Sequence, residues 1–324
     1  MRCLVTGASG FVGAWLVKRL TARGDLVRCL LRGGSSVSAL DGLAYERAEG
    51  DITAPATLPS ALEGVEVVFH LAGIRRAARR EEFIEVNAEG TRNVCEAMKR
   101  SGARRLVLCG SLAAAGPSTL ERPRREDDAL APEEWYGESK AEAEVIAFGY
   151  GRDFEVTSIR PSRILGPGDR ENLAFFRLVK KGIVLKLGGP RRPLSMVDVE
   201  DVVTQLILQA ERPEAVGEAF FASSEETTSL TELMQHIAEY IGVKARVVPL
   251  PEGVLRALAG AADLVSTVSG RRLPLNRKLA RQLLAPGWTC SIEKAKSRLG
   301  YRPAWTLEAS IKRSADSYQA LGWI

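Results

Sequence analysis

The sequence predicts an α/β protein, in which a doubly wound parallel sheet is followed by a smaller C-terminal α+β lobe. A short apolar run at residues 2–6 leads directly into a glycine-rich turn, Gly7–Gly13, and then into a helical pattern. Up to about residue 160, apolar runs alternate with amphipathic stretches over short connections, as in parallel sheets covered by helices. Beyond residue 165 the loops lengthen and Gly-Pro breaks appear. We therefore predict one domain at 1–165, to which segments at about 190–225 return, and a lobe at 166–324.

The glycine-rich turn follows the first predicted strand without a gap. Gly7, Gly10 and Gly13 are spaced three residues apart, so the backbone can turn sharply and the next helix can pack closely on the strand. That helix, at about residues 11–23, would point its N-terminal amides and positive dipole end at a bound phosphate. An ordinary strand–helix turn is the alternative. The βαβ context favours a dinucleotide site.

The end of the second predicted strand indicates which dinucleotide binds. The apolar run at residues 26–31 ends at Arg32, a position where an acidic residue would bind the ribose 2′-hydroxyl of NAD. Arginine accommodates the 2′-phosphate of NADP instead, so we predict NADP, with a solvated loop arginine as the alternative. Asp51 either contacts the adenine or caps a short helix that starts near Ala54.

Further apolar runs complete the predicted sheet. Residues 43–48, 65–71, 105–109 and 154–160 are expected to be strands, the last of them broken by Pro161, and residues 82–101 one long helix. His70 lies in a nearly continuous apolar run, which is typical of a strand covered on both faces. It is more simply explained as a hydrogen-bonded strand residue than as a catalytic base.

Composition and charge argue against several classes of protein. The net charge of the 324 residues is +5, and arginine runs such as Arg124-Arg125 lack the interleaved aromatic residues of a nucleic-acid site. We therefore predict no nucleic-acid partner. The five cysteines are scattered without a Cys-x-x-Cys pair, which predicts reduced thiols, no metal site and a cytoplasmic location. No apolar stretch approaches the ~20 residues of a transmembrane helix, and the start of the chain does not fit a signal peptide.

Residues with acid–base chemistry follow the fifth predicted strand. Ser111 stands at its carboxyl end, and Tyr136 and Lys140 open a helical pattern about 25 residues later. Because they are four residues apart, Tyr136 and Lys140 lie on one helix face. An ammonium group beside a phenol stabilises the phenolate, so such a tyrosine can donate or accept a proton at physiological pH. Ser111 would align a substrate carbonyl or hydroxyl group.

Together these motifs resemble the extended short-chain dehydrogenase/reductase family. The resemblance rests on TGASGFVG (6–13), HLAG (70–73), VNAEGT (86–91), the Ser111 strand end, YGESK (136–140) and RP…GPGD (160–169). It covers the chain to about residue 201. The rest is more loosely similar to dihydroflavonol-reductase-like and 3β-hydroxysteroid-dehydrogenase-like members.

The resemblance implies a Rossmann fold with a substrate lobe over its catalytic face. It also implies that Ser111, Tyr136 and Lys140 are the catalytic residues, whereas Asn87 is often a helix-packing residue in such proteins. The cofactor contacts that it implies are Gly7, Gly10, Phe11, Val12, Gly13, Arg32, Asp51, Ile52, Leu71, Ala72, Gly73, Tyr136, Lys140 and Pro161.

Two positions depart from the family pattern. Gly110 stands where many members have a second serine, which should cost little because Ser111 keeps the aligned position. Leu112 and Ala113 stand where sugar-nucleotide dehydratases of the family have an Asp-Glu pair that moves protons at neighbouring carbons. The missing pair argues against dehydration.

We therefore expect an NADP-dependent oxidoreductase that interconverts a ketone and a secondary alcohol in a small-molecule substrate, without a metal. The alternative is a nucleotide-sugar epimerase with tightly bound NAD, which Arg32 disfavours. A non-catalytic NADP-binding sensor is a third hypothesis. The complete set of Ser111, Tyr136 and Lys140 argues against it.

Residues 252–270 are unusually apolar and rich in alanine for a surface segment. Three interpretations stay open: a core helix of the lobe, a lid over an apolar substrate, or a surface for homodimer formation or membrane contact. An apolar cavity above Tyr136, roofed by residues 254–268, would favour a flavonoid, steroid or long acyl ketone. An arginine-lined cavity would favour a nucleotide sugar.

Overall fold

Strands and helices alternate over most of the chain, and the computed structural model describes them for residues 1–269 and 276–324. The strands are β1 (Arg2–Thr6), β2 (Leu26–Leu31), β3 (Glu46–Glu49), β4 (Val67–His70), β5 (Arg105–Cys109), β6 (Glu155–Pro161), β7 (Arg163–Leu165), β8 (Ile183–Leu187), β9 (Leu194–Asp198), β10 (Ala219–Ala222), β11 (Thr227–Thr228) and β12 (Arg246–Leu250). The α-helices are α1 (Phe11–Ala22), α2 (Pro59–Leu62), α3 (Arg80–Phe83), α4 (Gly90–Ser101), α5 (Leu112–Ala115), α6 (Trp135–Gly149), α7 (Leu173–Lys180), α8 (Val199–Glu211), α9 (Leu230–Ile241), α10 (Glu252–Ser269), α11 (Arg277–Leu284), α12 (Glu293–Leu299) and α13 (Leu307–Ala320).

Seven of the described strands form one parallel sheet, in the order β3-β2-β1-β4-β5-β6-β10. The strand order reverses between β1 and β4, and ligands of doubly wound sheets bind outside the carboxyl ends of the strands at such a point. The predicted doubly wound parallel sheet is confirmed. β10 pairs with β6 in this sheet, so the chain returns to the sheet after it has formed part of the lobe.

Helices cover both faces of this sheet. On one face, α1 and α8 bury apolar side chains such as Leu16 and Leu206. On the other face, α2, α4 and α6 do the same, with Leu62, Met98 and Ala147 among the buried residues. The two apolar layers hold the carboxyl edge of the sheet rigidly, because the helices that follow the strands start there.

The smaller lobe combines two short sheets with helices. β7, β9 and β11 form a mixed sheet, and β8 pairs in parallel with β12. α7, α9 and α13 pack around a core that includes Phe176, Ile237 and Tyr318. The sequence pattern does not indicate β12, because its side chains are mostly exposed and Pro249 interrupts its apolar run.

Three predicted elements differ from the structure in detail. The helix expected at residues 82–101 is interrupted by a π-helix at Ile84–Glu89, between α3 and α4. β3 starts three residues later than expected, because Leu43 and Tyr45 pack against the core without pairing to β2. Pro161 does not break β6 but is its last residue, in register with β10.

α10 covers the apolar segment 252–270 except for Gly270, which lies outside the described residues. Leu255 and Ala259 of α10 pack against Ala280 of α11, so one face belongs to a small core of the lobe. The opposite face carries exposed apolar side chains. Across the described ranges, no helix has both the length and the apolar content that crossing a membrane requires.

Candidate active site

The glycine-rich turn after β1 is packed too tightly to accept side chains. Gly7 has a φ of +72°, and a Cβ there would lie 2.7 Å from the backbone nitrogen of Ala72. A Cβ on Gly13 would lie 2.1 Å from the carbonyl oxygen of Gly7. Both positions therefore require glycine, which brings the turn against the end of β4 and brings α1 against the turn.

The N-terminus of α1 is open toward this turn. Gly10 is the N-cap in an extended conformation, and no side chain caps the helix. The first amides of α1, from Phe11 and Val12 onward, therefore lack a capping side-chain acceptor and are available to a phosphate. Trp15 Nε1 donates to the carbonyl oxygen of Pro167 at 3.1 Å, which fixes α1 beside the loop after β7. Open amides beside the glycines of this turn fit the pyrophosphate of a dinucleotide.

A separate cavity of about 470 Å³ lies at the carboxyl ends of β2 and β3, and we call it the Arg32 cavity. Its walls are residues 32–35, 49–51 and Thr57. Arg32 forms no ion pair with any residue in the part of the chain that the structure describes. An acidic group nevertheless faces the same space, since a Cβ on Gly33 would lie 3.0 Å from Glu49 Oε1. The cavity wall thus contains one basic residue, Arg32, and two acidic residues, Glu49 and Asp51.

Asp51 and Ile52 have mainly local roles. Asp51 lines the Arg32 cavity, but its Oδ1 accepts hydrogen bonds from the amide and the hydroxyl group of Thr53, both at 2.9 Å. These bonds close a turn before the short helix at Pro55–Thr57, whose N-cap is Ala54 and which no side chain caps, so Asp51 is not its cap. Ile52 is buried in the core, where a Cβ on Gly90 would lie 2.7 Å from its Cδ1. The Ile52 side chain is therefore not part of the cavity wall.

The carboxyl end of β4 lies beside the glycine turn. The amides of Leu71 and Ala72 donate to the carbonyl and hydroxyl oxygens of Thr6, at 3.2 and 3.1 Å. His70 is buried between two threonine hydroxyls, at 2.7 Å from Thr6 Oγ1 and 3.0 Å from Thr91 Oγ1. Burial, with a smaller effect of a nearby lysine, lowers the pKa of His70 to about 3. A neutral, hydrogen-bonded strand residue is what the sequence indicated.

Ser111, Tyr136 and Pro161 lie together in the wall of a second cavity, which we call the Tyr136 cavity. Ser111 is the N-cap of α5, and its Oγ accepts a hydrogen bond from the amide of Ala113 at 3.1 Å. Tyr136 lies in the first turn of α6. A Cβ on Gly137 would lie 2.5 Å from the carbonyl oxygen of Ala113, so α6 packs directly on α5. This close packing fixes the serine and the tyrosine relative to each other.

Lys140 lies one helical turn after Tyr136, on the same face of α6. Its side chain is buried, with 7% of the residue exposed. Lys140 Nζ is 3.9 Å from the position that a Cβ on Gly73 would take. The same Cβ would lie 2.8 Å from Asn87 Oδ1, so glycine lets the chain after β4 pass close to both Asn87 and Lys140.

Asn87 links the end of β4 to the helix that carries Tyr136. Its Oδ1 accepts from the amide of Ile74 at 2.8 Å, and its Nδ2 donates to the Ile74 carbonyl at 3.0 Å and to Ser139 Oγ at 2.9 Å. Ser139 Oγ in turn donates to the carbonyl oxygen of Tyr136 at 2.8 Å. Asn87 lies in the π-helix, a feature that the helical pattern of the sequence does not indicate. Its role in holding the site goes beyond the packing role expected for it.

The Tyr136 cavity has a volume of about 680 Å³ and a mixed lining. Apolar side chains of the lobe, including Phe175, Leu230 and Trp288, form much of its wall. No described residue of α10 lines it, and α11 contributes Gln282 and Leu283 on that side instead. The expected roof at 254–268 is therefore not found in the described residues. The basic residues of the wall are Arg75, Arg163, Lys186, Arg191 and Arg192.

Comparison with known proteins places the chain in a family. The family model of the NAD dependent epimerase/dehydratase family matches residues 3–221. The chain belongs to this family and is an oxidoreductase of the NAD(P)-dependent short-chain dehydrogenase/reductase type. The expected family and the expectation of an enzyme are confirmed, which leaves the sensor hypothesis without support.

The relatives include proteins with different reactions. A UDP-glucose 4-epimerase from Vibrio cholerae is 30% identical over 97% of this chain and 94% of that protein. A ceramide reductase from Caulobacter vibrioides is 29% identical over 99% of this chain and 95% of that protein. The crystal structure of gox2253 matches with a TM-score of 0.85 and 27% identity, and covers 100% of this chain and 99% of that chain. The Rossmann fold is confirmed by these matches, and the substrate is a separate question.

Proposed function

We propose that the protein is an NADP-dependent oxidoreductase that interconverts a ketone and a secondary alcohol. The observation that supports this most is the shared wall of Ser111 and Tyr136 in one cavity, with Lys140 one helical turn behind the tyrosine. The glycine cradle lies at the carboxyl edge of the same sheet, where ligands of doubly wound sheets bind. The proposed nucleotide site and the proposed proton donor therefore lie at the same edge of the sheet.

Each polar group has a distinct task in the reduction of a ketone. When bound, the nicotinamide supplies the hydride. Tyr136 donates its phenolic proton to the carbonyl oxygen, and the ammonium of Lys140 stabilises the phenolate that remains. Ser111 Oγ accepts the amide of Ala113, so its own proton is free to hydrogen-bond the carbonyl oxygen and hold it in place. Oxidation of the alcohol uses the same groups in reverse.

The residues proposed to hold the cofactor follow from the two nucleotide features. The backbone of Gly7–Gly13 and the open end of α1 would bind the pyrophosphate. Arg32, without an ion-pair partner in the described ranges, would bind the 2′-phosphate of NADP. Glu49 in the same cavity opposes that phosphate and limits the preference for NADP over NAD. Strand-end residues that would contact the nicotinamide half are Leu71, Ala72, Gly73 and Pro161.

Replacement of the proton donor tests the proposal. Tyr136→Phe should lower kcat at least about 100-fold, because general acid catalysis is lost, while the affinity for NADPH stays nearly the same. Turnover is followed by nicotinamide absorbance with a panel of ketones, and NADPH affinity by calorimetry. Tyr240→Phe is the matched control, since Tyr240 lies on the surface with its hydroxyl on Asp316. Retained activity in Tyr136→Phe would refute the assignment.

A nucleotide-sugar epimerase with tightly bound NAD is the second candidate. The basic side chains of the Tyr136 cavity favour it, because cations such as Lys186 can bind a diphosphate. Purification of the protein and identification of any retained nucleotide distinguishes the two candidates. Retained NAD together with interconversion of UDP-sugars supports the epimerase. An exchangeable NADP and net reduction of ketones support the oxidoreductase.

A further inference from the structure

The basic side chains of the Tyr136 cavity fall into two groups. Arg191 forms a bidentate ion pair with Glu232, at 2.8 Å for both contacts, and Arg192 pairs with Glu252. These two charges are therefore neutralised within the protein. Arg75, Arg163 and the exposed Lys186 differ, because none of them has an ion-pair partner among the residues that the structure describes.

Arg163 is held in place by neutral groups. Its guanidinium lies over the ring of Phe175 at 5.1 Å, and its Nε donates to Asn172 Oδ1 at 2.5 Å. Burial lowers the pKa of Arg163 to about 10, and the positive charge of Arg75 adds to the effect. Two cations without an ion-pair partner thus lie close enough for the charge of Arg75 to lower the pKa of Arg163, and an anion between them would relieve this repulsion.

The acidic residues nearby attract these guanidinium groups without forming an ion pair with them. Burial lowers the pKa of Arg75, but the negative charges of Tyr136, Glu171, Asp169 and Glu134 together raise it above its ordinary value. The carboxylate of Asp169 accepts hydrogen bonds from the amides of Glu171 and Asn172, at 2.8 and 3.0 Å. Glu171 itself forms an ion pair with Arg76, at 2.8 Å. Both acids thus direct their hydrogen bonds to other groups, and neither forms an ion pair with Arg75 or Arg163.

Arg75 lies next to the proposed proton donor. Its guanidinium carbon is 5.6 Å from the centroid of the Tyr136 ring, on the loop that follows β4. An anion bound by Arg75 would therefore be close to the carbonyl group that Tyr136 protonates. The basic residues Lys186, Arg191 and Arg192 come from the lobe instead, through β8 and the loop after it.

A third polar group in the same wall lacks a partner. Ser162 Oγ is buried and has no hydrogen-bond partner within residues 1–269 and 276–324. Ser162 lies between Pro161 and Arg163 and lines the Tyr136 cavity. Buried hydroxyl groups are normally hydrogen-bonded, so an unpartnered one in a cavity wall indicates a ligand atom that completes it.

We propose that Arg75, Arg163 and Ser162 form an anion subsite for the substrate. The substrate would be a carbonyl compound with a carboxylate or phosphate group close to the reacting carbon and an apolar remainder against the wall of the lobe. Guanidinium groups suit both anions because their planar N–H donors match the anion oxygens. This inference rests on the proposed oxidoreductase function, and it specifies the substrate class.

Binding of unreactive ligands tests the subsite without requiring turnover. Decanoate, decyl phosphate and decanol are titrated into the full-length protein by calorimetry. We expect at least one anion to bind more than about tenfold tighter than decanol, and comparison of the two anions distinguishes carboxylate from phosphate. Arg163→Gln and Arg75→Gln should each remove most of this advantage. Arg76→Gln is the matched control, since the neighbouring arginine pairs with Glu171 and does not line the cavity.

Equal binding of decanol and both anions would overturn the subsite, as would an anion preference that survives in both arginine variants. Arg75→Gln keeps the test valid if Arg163→Gln, at a half-buried position, fails to fold, because Arg75 is exposed.

Measurements of turnover then test the anion subsite and the proposed oxidoreductase function separately. Oxo acids and oxo phosphates should be reduced with KM values at least about tenfold below those of the matching methyl esters and alcohols. Equal reduction of the neutral compounds would refute the subsite and leave the oxidoreductase intact. An anion preference in binding without reduction of any carbonyl compound would refute the oxidoreductase and leave the subsite intact.

Discussion

The nucleotide cradle and the Tyr136 cavity lie at the same edge of the sheet but are built in opposite ways. The cradle uses seven consecutive residues, Gly7–Gly13, and its shape depends on backbone approaches that only glycine permits. The cavity uses side chains from residues as distant as Arg75 and Trp288. A site made of backbone tolerates almost no substitution, whereas a site made of side chains can change its ligand one residue at a time. An epimerase and a reductase that both match nearly the whole chain fit this division.

The largest expected effect comes from a methyl group in the cradle. Gly13→Ala would place a Cβ 2.1 Å from the carbonyl oxygen of Gly7, where no flexible side chain can move away. We expect a loss of about 3 kcal/mol or more in the free energy of unfolding, because overpacking must shift the backbone. Affinity for NADPH should fall more than about 100-fold, since the same shift displaces the phosphate-binding amides. Urea unfolding and calorimetry measure the two effects.

Gly149→Ala is the matched control, because a Cβ there meets nothing within 4 Å. This change should leave both quantities nearly unaffected or slightly raise stability. Normal NADPH binding by Gly13→Ala would show that the turn is not the nucleotide cradle.

A buried ion pair between α6 and β6 gives the next largest effect. Arg160 Nη2 lies 2.5 Å from Glu144 Oε1, and a Cβ on Gly110 would lie 3.2 Å from Glu144 Oε2. Glu144→Gln leaves the charge of Arg160 buried without a partner, which should cost roughly 3–5 kcal/mol in the free energy of unfolding. Denaturant titration measures the loss. Glu89→Gln, in an exposed pair with Arg92, should change stability little, and a similar small change in Glu144→Gln would contradict the account.

How well the sequence predicts each part of the site depends on whether that part is built from one local segment or from distant side chains. Gly7, Gly13, Tyr136 and Lys140 were identifiable because their function depends on spacing within one turn or one helix face. Their positions in the structure agree with that spacing, and their catalytic and binding roles stay predictions. Ile52 is expected near the cofactor through its main chain, which its buried side chain does not test, and this contact stays a prediction.

The wall of the Tyr136 cavity consists of side chains from distant parts of the chain, and it was not predictable in this way. Arg75 and Arg76 are adjacent and identical in sequence, but Arg76 pairs with Glu171 on the surface and Arg75 faces the ring of Tyr136. No local pattern separates them, since the difference depends on partners up to 95 residues away. The contacts of Asn87 were similarly not predictable, because they are made from the π-helix to Ile74 and Ser139, whereas the sequence indicates only a helix-packing residue.

The preference for NADP over NAD should depend on two side chains of the Arg32 cavity, Arg32 and Glu49. Arg32→Ala should weaken NADPH binding about tenfold, because the 2′-phosphate loses its cation, and should change NADH binding less than about twofold. Glu49→Gln should strengthen NADPH binding a few-fold, because a repulsive charge is removed from the same cavity. Calorimetric titration with both nucleotides measures these affinities.

Arg47→Ala is the control for these cofactor variants, because Arg47 lies on β3 outside the Arg32 cavity. Equal weakening of NADH and NADPH by Arg32→Ala would mean that Arg32 does not contact the 2′-phosphate.

The smallest effect is expected on the outer face of α10. Val254 and Leu258 are 46% and 50% exposed, and neither lines the Tyr136 cavity. The double change Val254→Ser and Leu258→Ser should keep kcat and KM within about twofold, because it removes no contact from the cavity wall. Steady-state kinetics check this, and a KM raised tenfold would restore the interpretation of this segment as a lid. Light scattering of the same variant tests the homodimer interpretation. A mass reduced to half that of the unmodified protein would locate the dimer contact on α10, whereas an unchanged mass would exclude that face.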